Sequence, residues 1–202
     1  MSRGRYIALE GAEGCGKSTH ASRLAVTLGA VLTRETGGTA IGRQIRTILH
    51  DTSINNLSHR AEALLAAADR AQHIDEVVAP ALSAGQHVVS DRSVYSTLAY
   101  QGYGRQLSIA ELRRINEWAV DTHWPDLVLL LDAAPEVLER RMRGRQLDRF
   151  EREGDKFHER VLDGFRQMAL DEPERWVVID GSQSLETVAT DVRAAVLDRL
   201  GL

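Results

Sequence analysis

Between Gly11 and Thr19 the chain reads G-A-E-G-C-G-K-S-T, which fits G-x-x-x-x-G-K-[ST], a loop whose chemistry is the binding of nucleotide phosphates. Its glycines allow the backbone to take positive φ and to come close to an anion. Successive backbone N–H groups then point into one concavity. Lys17 adds a full positive charge for the β- and γ-phosphates, and the Ser18 hydroxyl is a ligand for Mg²⁺. The helix that starts here aims its positive end at the same anion. Gly11, Ala12, Glu13, Gly14, Cys15, Gly16, Lys17, Ser18 and Thr19 are therefore the expected nucleotide-binding run.

Such a loop needs a strand before it and a helix after it. Tyr6 to Leu9 is a short apolar run, and His20 to Leu28 carries Ala21, Leu24, Ala25 and Leu28 at helical spacing. The pattern then repeats. Strands are expected at Ala30–Arg34, His87–Ser90, Leu127–Leu131 and Trp176–Ile179. A short helix should present Ile41, Ile45, Ile48 and Leu49 on one face, and a long one should cover 58–84, kinked or ended early by Pro80 and capped by Gly85. Helical segments follow at 94–102, from Ser108 to about His123, after Pro135, at 157–170 and at 185–200. The uninterrupted run L-V-L-L-L at Leu127 is typical of a parallel strand covered on both faces. The expected architecture is α/β with three layers: a parallel sheet of about five strands with helices on both faces.

The chain has 202 residues, which suits one domain, and a net charge of −4, which argues against nucleic-acid binding driven by overall charge. Cys15 is the only cysteine, so no intrachain disulfide or multi-cysteine metal site is expected. The opening M-S-R-G-R-Y lacks the apolar core of a signal peptide, and no stretch is apolar enough to cross a membrane; the cytoplasm is the expected compartment.

In parallel sheets ligands sit beyond the carboxyl ends of the strands. Arg34 and Arg92 each follow a strand, and two guanidinium groups there can clamp a phosphate. Asp91 can hold Mg²⁺ or cap the next helix. Asp132 has nothing catalytic around it and reads as structural. The segment from Arg140 to Arg152 is rich in arginine and lies where a mobile lid could bring positive charge over a transferred phosphoryl group.

Nearly the whole chain resembles the bacterial thymidylate (dTMP) kinases, a family of phosphate-loop nucleoside monophosphate kinases. The resemblance rests on E-G-A-E-G-C-G-K-S-T from Glu10, T-R-E-T-G-G-T from Thr33, A-D-R-A-Q-H from Ala68, S-D-R-S-V-Y-S-T-L-A-Y-Q-G from Ser90 and L-D-R-F-E from Leu147. It implies a P-loop fold over 1–202 with a lid at approximately 141–154, transfer of a phosphoryl group from ATP to dTMP with Mg²⁺, and a homodimer. The loop 11–19 would bind ATP, with Ser18 and Asp91 at the metal. Glu13 would contact the acceptor's 3′-hydroxyl, and Arg34 and Arg92 its phosphate. Arg70 would bond the thymine carbonyl, Thr97 would sit on the base edge, Tyr100 would exclude a 2′-hydroxyl, and Gln101 would lie nearby. Lys17 with lid arginines Arg145 and Arg149 would reach the phosphates of ATP.

Departures from the family pattern concern the base. Many relatives carry an aromatic ring, stacked on thymine, where this chain has Ala66; here either a neighbour fills the space or base affinity is weaker and less selective. Ser93 replaces an aromatic residue or His, and Thr36 replaces a proline, which loosens that turn. The rival readings are a deoxynucleoside kinase, whose hydroxyl acceptor would need a general base such as Glu35, a relaxed-specificity monophosphate kinase, and a regulatory nucleotide switch.

Overall fold

β1 (Tyr6–Glu10) is buried at every residue, and the sheet grows outward from it on both sides. In the computed structural model, which describes residues 3–202, β2 (Val31–Arg34), β3 (Val88–Asp91), β4 (Leu127–Asp132) and β5 (Trp176–Asp180) complete a five-stranded sheet in the order β2-β3-β1-β4-β5. Every pairing is parallel. A central strand with neighbours on both edges and helices over both faces has no solvated side, which is why Y-I-A-L and L-V-L-L-L are apolar throughout.

Successive side chains of each strand enter opposite layers. Tyr6, Val88, Val128, Leu130 and Trp176 join one apolar cluster, with residues of α3 (His59–His73), α6 (Ile109–Val120) and α8 (Asp155–Asp171). Ile7, Leu9, Val89, Leu127, Leu129 and Leu131 enter the other, with α1 (Lys17–Leu28) and α9 (Leu185–Leu200). The register brings the strand ends level. Arg34 lies opposite Asp91, Asp91 opposite Leu9, and Glu10 opposite Leu130. The backbone N–H of Arg92 donates to Leu9 (3.0 Å) and that of Glu35 to Asp91 (3.0 Å), so three loops leave the sheet side by side.

The long helix expected over 58–84 runs through Pro80 with a change of pitch. α3 passes into a wide π turn at Ile74–Val78, then into α4 (Ala79–Ser83), with Pro80 in its first turn. The wide turn moves the Ala79 N–H onto the Ile74 carbonyl just before a residue that has no N–H to donate. Gly85, at φ +78°, closes the segment as expected. A second π turn, Leu98–Gly104, follows the short α5 (Val94–Thr97) and carries Tyr100 and Gln101. α2 (Ala40–His50) packs through Gly42 and Leu49, while Ile41 and Ile48, expected on its inner face, are exposed. α7 (Pro135–Met142) leads into the arginine-rich segment. Among the described residues no helix is long and apolar enough to cross a membrane.

Candidate active site

The loop between β1 and α1 borders a cleft of about 630 Å³ at the carboxyl ends of the strands. Gly16, at φ +101°, turns the backbone into α1, a conformation that a side chain would strain. A Cβ on Gly11 would meet the Leu131 carbonyl at 2.6 Å, so the loop lies directly on β4. Of the loop residues, Glu13, Gly14, Gly16, Lys17, Ser18 and Thr19 line the cleft. Gly11 faces the sheet, and the buried Cys15 side chain joins the core beneath the loop together with half-buried Ala12. Lys17 Nζ donates to the Ala12 carbonyl at 2.7 Å.

Arginines reach this cleft from several elements. Arg34 arrives from the end of β2, Arg92 from the end of β3, and Arg46 from α2. Burial and the neighbouring Arg34 charge both lower the pKa of Arg46, which marks a place where positive charge is crowded. Of these three, Arg92 is the most tightly held. It adopts φ +76°, pairs with Glu13, and donates to Ser96 Oγ (3.0 Å), Tyr100 Oη (3.0 Å) and the Gly11 carbonyl (3.2 Å). Burial works against its charge, but Glu13, Tyr100 and Glu10 more than offset this and raise its pKa. For Glu13, burial is outweighed by Arg92 and Lys17, which hold the carboxyl far below its ordinary range.

Ser18 Oγ hydrogen-bonds to Asp91 Oδ2, which brings the two expected metal ligands into contact across the start of α1. Both are oxygen donors, the chemistry that suits a hard cation such as Mg²⁺. Among the described residues there is no group of three His, Cys, Asp or Glu that could hold a metal by itself, so such an ion would share its shell with nucleotide and water. Asp132 is structural, held by Arg166 through bonds of 2.9 and 3.0 Å.

A buried network floors the side of the cleft formed by α3. Arg70 donates to Glu35 Oε2 (2.8 Å), Thr97 Oγ1 (3.1 Å), the Ser93 carbonyl (3.3 Å) and Asn116 Oδ1. Glu35 Oε1 also meets His73 Nδ1 at 3.0 Å. Burial alone would raise the Glu35 carboxyl, but Arg70 and His73 outweigh it and lower its pKa. Thr97, Tyr100, Gln101 and Ala66 line the same side. The Gln101 amide donates to buried Glu62 at 2.8 Å. The turn at Thr36 is braced despite the missing proline: Gly37 N–H donates to Asp69 (2.9 Å) and Arg46 to the Thr36 carbonyl (3.2 Å).

The arginine-rich segment differs from expectation in detail. Arg145 lines the cleft, but Arg149 does not. Its guanidinium is taken by the Leu49 carbonyl (2.8 Å) and Glu62 (2.7 Å), because a buried carboxylate there competes for the charge. Arg141 lines the cleft in its place and donates to the Gly181 carbonyl at 2.9 Å. Arg46, His50 and Phe150 also belong to the wall and were not expected there. For Arg46 a signal existed, since it shares a helical face with the buried Gly42 and Leu49.

A family model described as thymidylate kinase matches residues 9–192. A thymidylate kinase of Desulfovibrio desulfuricans is 47% identical over 204 residues, covering 95% of this chain and 94% of the relative. One from Exiguobacterium sp. is 42% identical over 203 residues, covering 98% and 96%. The crystal structure of thymidylate kinase from Ehrlichia chaffeensis aligns with a TM-score of 0.79 at 28% identity, covering 96% of this chain and 98% of that one. The chain belongs to the thymidylate kinase family.

Proposed function

We propose that the protein transfers the γ-phosphoryl group of ATP to dTMP, giving ADP and dTDP for the synthesis of dTTP. The observation that carries this reading is the pair of adjoining cationic sites in one cleft: the phosphate loop with Lys17, and beside it Arg34, Arg46 and Arg92. Two phosphate-bearing substrates need two such sites. Burial and the neighbouring Arg34 charge both work against the Arg46 cation, and a bound phosphate in this cleft would favour it.

In this reading the loop from Gly11 to Thr19 binds ATP. A second cavity of about 240 Å³, which shares Gly14, Gly16 and Arg141 with the main cleft and reaches Gly181 and Gln183, takes its adenine. Ser18 and Asp91 would hold Mg²⁺, which when bound would supply positive charge to the nucleotide phosphates. The acceptor phosphate has a second pKa of about 6 and is largely ionised at neutral pH, so no general base is needed. One of its oxygens attacks the γ-phosphorus, the bond to the β–γ bridging oxygen breaks, and ADP leaves. Lys17, Arg34, Arg92 and the lid arginines Arg141 and Arg145 position the two anions and neutralise their charge. Glu13 orients Arg92 and accepts from the sugar 3′-hydroxyl. Arg70, Thr97 and Gln101 line the base site, and Tyr100 fills the space of a 2′-hydroxyl.

The deoxynucleoside kinase reading is disfavoured by Glu35, whose carboxylate oxygens are committed to Arg70 and His73 and whose lowered pKa makes it a poor base. We further propose that residues 1–202 form one domain with a lid near 141–154, and that the enzyme works in the cytoplasm. We also propose a homodimer, with exposed Ile41 and Ile48 on α2, Leu64 on α3 and Trp118 (88% exposed) on α6 supplying apolar contact surface. The test is direct: incubate the protein with Mg·ATP and dTMP and resolve nucleotides by ion-exchange chromatography. dTDP appearing in equal amount with ADP supports the reading, and ADP without dTDP overturns it.

A further inference from the structure

A nucleobase is a flat apolar disc with a polar rim, and a site for it needs a flat apolar wall as well as hydrogen bonds. The base side of the cleft has its polar groups on the buried network of Arg70 and Thr97, while Ala66 on α3 offers only a methyl group. Tyr100 is buried, only 8% exposed, and leaves little ring face open to the cleft. Its hydroxyl accepts from Arg92, the Arg92 guanidinium lies 5.0 Å from its ring centroid, and its edges meet Phe157 and Phe165. The His50 ring is tied to Asp148 at 2.7 Å. Phe150, half-buried on the cleft wall, is the remaining ring.

Phe150 comes from the lid segment, yet it is fastened on both sides. Before it, Asp148 Oδ1 accepts from the Phe150 and Glu151 N–H groups at 2.9 Å, while Asp148 Oδ2 meets His50 on α2. Between them, Arg149 reaches the Leu49 carbonyl on α2 and Glu62 on α3. Its guanidinium also covers the Phe150 ring, 4.6 Å from the centroid. Glu62 is fully buried and one helical turn from Ala66, so the residue that seats the lid and the residue that leaves the gap share one face of α3. The His50 ring meets Phe150 edge-on at 5.4 Å and Tyr100 does so at 5.9 Å, which fixes the plane of the phenyl group.

We propose that Phe150 supplies the planar wall against the acceptor's base, and that Arg149 is a positioning residue which seats Phe150 through Glu62 and does not touch the phosphates of ATP. This deepens the reading given above and rests on it. Base recognition then depends on the lid being seated, so acceptor affinity and lid closure are linked through two consecutive residues.

The test is steady-state kinetics, with KM for dTMP and for ATP measured separately, on the unaltered protein and on Phe150→Ala, Phe150→Leu, Phe150→Trp and Arg149→Met. Circular dichroism checks that each is folded. Phe150→Ala and Phe150→Leu should raise the KM for dTMP about ten-fold or more, the scale of a lost base–aromatic contact, with the KM for ATP within about two-fold. Phe150→Trp should retain affinity, and Ala66→Phe should restore it to Phe150→Ala. Arg149→Met should raise the KM for dTMP in the same direction with little change in kcat; Glu62 keeps Arg105 and Gln101 as partners, so the core survives. If Leu serves as well as Phe, or if ATP and dTMP are affected equally, Phe150 is only an apolar filler and the proposal falls. If Arg149→Met lowers kcat with both KM values unchanged, Arg149 acts on the phosphates and the latch is refuted. If the unaltered protein shows no dTMP-dependent turnover, the functional reading fails and this proposal fails with it. dTMP turnover with insensitive Phe150 variants overturns this proposal alone.

Discussion

Arg92 and Glu13 form an ion pair that ties the turn after β3 to the phosphate loop after β1. In the proposed reading Arg92 binds the acceptor phosphate, while Glu13 belongs to the phosphate loop and also meets the acceptor sugar, so the pair would hold the acceptor in register with the loop. Lysine has neither the planar fork nor the reach to serve Glu13, Ser96 and Tyr100 at once. Arg92→Lys is expected to lower kcat/KM for dTMP by about 100-fold, with the KM for ATP changed by less than about three-fold. An unchanged kcat/KM would remove Arg92 from the acceptor site.

Lys17 is buried at the start of α1, and its ammonium reaches back to the Ala12 carbonyl. Its charge has no substitute within the loop. Lys17→Met should reduce kcat by about 100-fold or more while the far-ultraviolet circular dichroism and thermal midpoint stay close to those of the unaltered protein. A normal kcat in this variant contradicts the role given to the loop.

Asp91 and Ser18 touch, so the carboxylate sets the position of the hydroxyl. Asp91→Asn keeps the shape and removes the charge. The free Mg²⁺ needed for half-maximal rate should rise about ten-fold or more, and chelation with EDTA should abolish turnover in both proteins. A Mg²⁺ titration that overlays the original curve would show that Asp91 serves only the helix that follows it.

Glu35 carries a prediction about pH. Its folded pKa is held below that of an unfolded glutamate, about 4.3, because Arg70 and His73 overcome the cost of burial. The stabilisation is fully present above about pH 4.3 and is lost as pH falls through the lower folded value. Glu35→Gln leaves the Arg70 charge in the core without its carboxylate and should cost about 3 kcal/mol at pH 7. Urea unfolding at pH 7, 5 and 3.5 should show the gap between the two proteins narrowing only at the lowest pH. A gap independent of pH would mean that the ion pair is not what holds Glu35.

Tyr100 is packed by three phenyl rings, from Phe150, Phe157 and Phe165. Tyr100→Ala is expected to cost about 3 kcal/mol of stability and to improve the use of ribonucleotide relative to deoxyribonucleotide acceptors. Ratios of kcat/KM for UMP and dUMP measure this, and unchanged discrimination would exclude Tyr100 from the sugar site.

Much of the sheet could be read from the chain because a strand buried on both faces is an unbroken apolar run, and because Arg34, Asp91 and Arg92 stand where those runs end. The two π turns were not legible, since widening a helix by one residue leaves no mark in side-chain periodicity; only the missing N–H of Pro80 hints at the first. The arginine-rich segment shows the limit most clearly. A row of arginines reveals charge but not which member a buried acid will capture, and Glu62 is remote in sequence from Arg149. Phe150 was hidden for the same reason: its place on the cleft wall depends on anchors in α2 and α3.

The most direct measurement is a coupled ADP-release assay with Mg·ATP, offering dTMP, dUMP, dCMP, dGMP and thymidine in parallel. The account predicts a kcat/KM for dTMP well above those of the other monophosphates, and none for thymidine. Turnover of thymidine without turnover of dTMP would contradict the assignment of the arginines to an acceptor phosphate. Equal rates on every monophosphate would contradict a base site built for thymine.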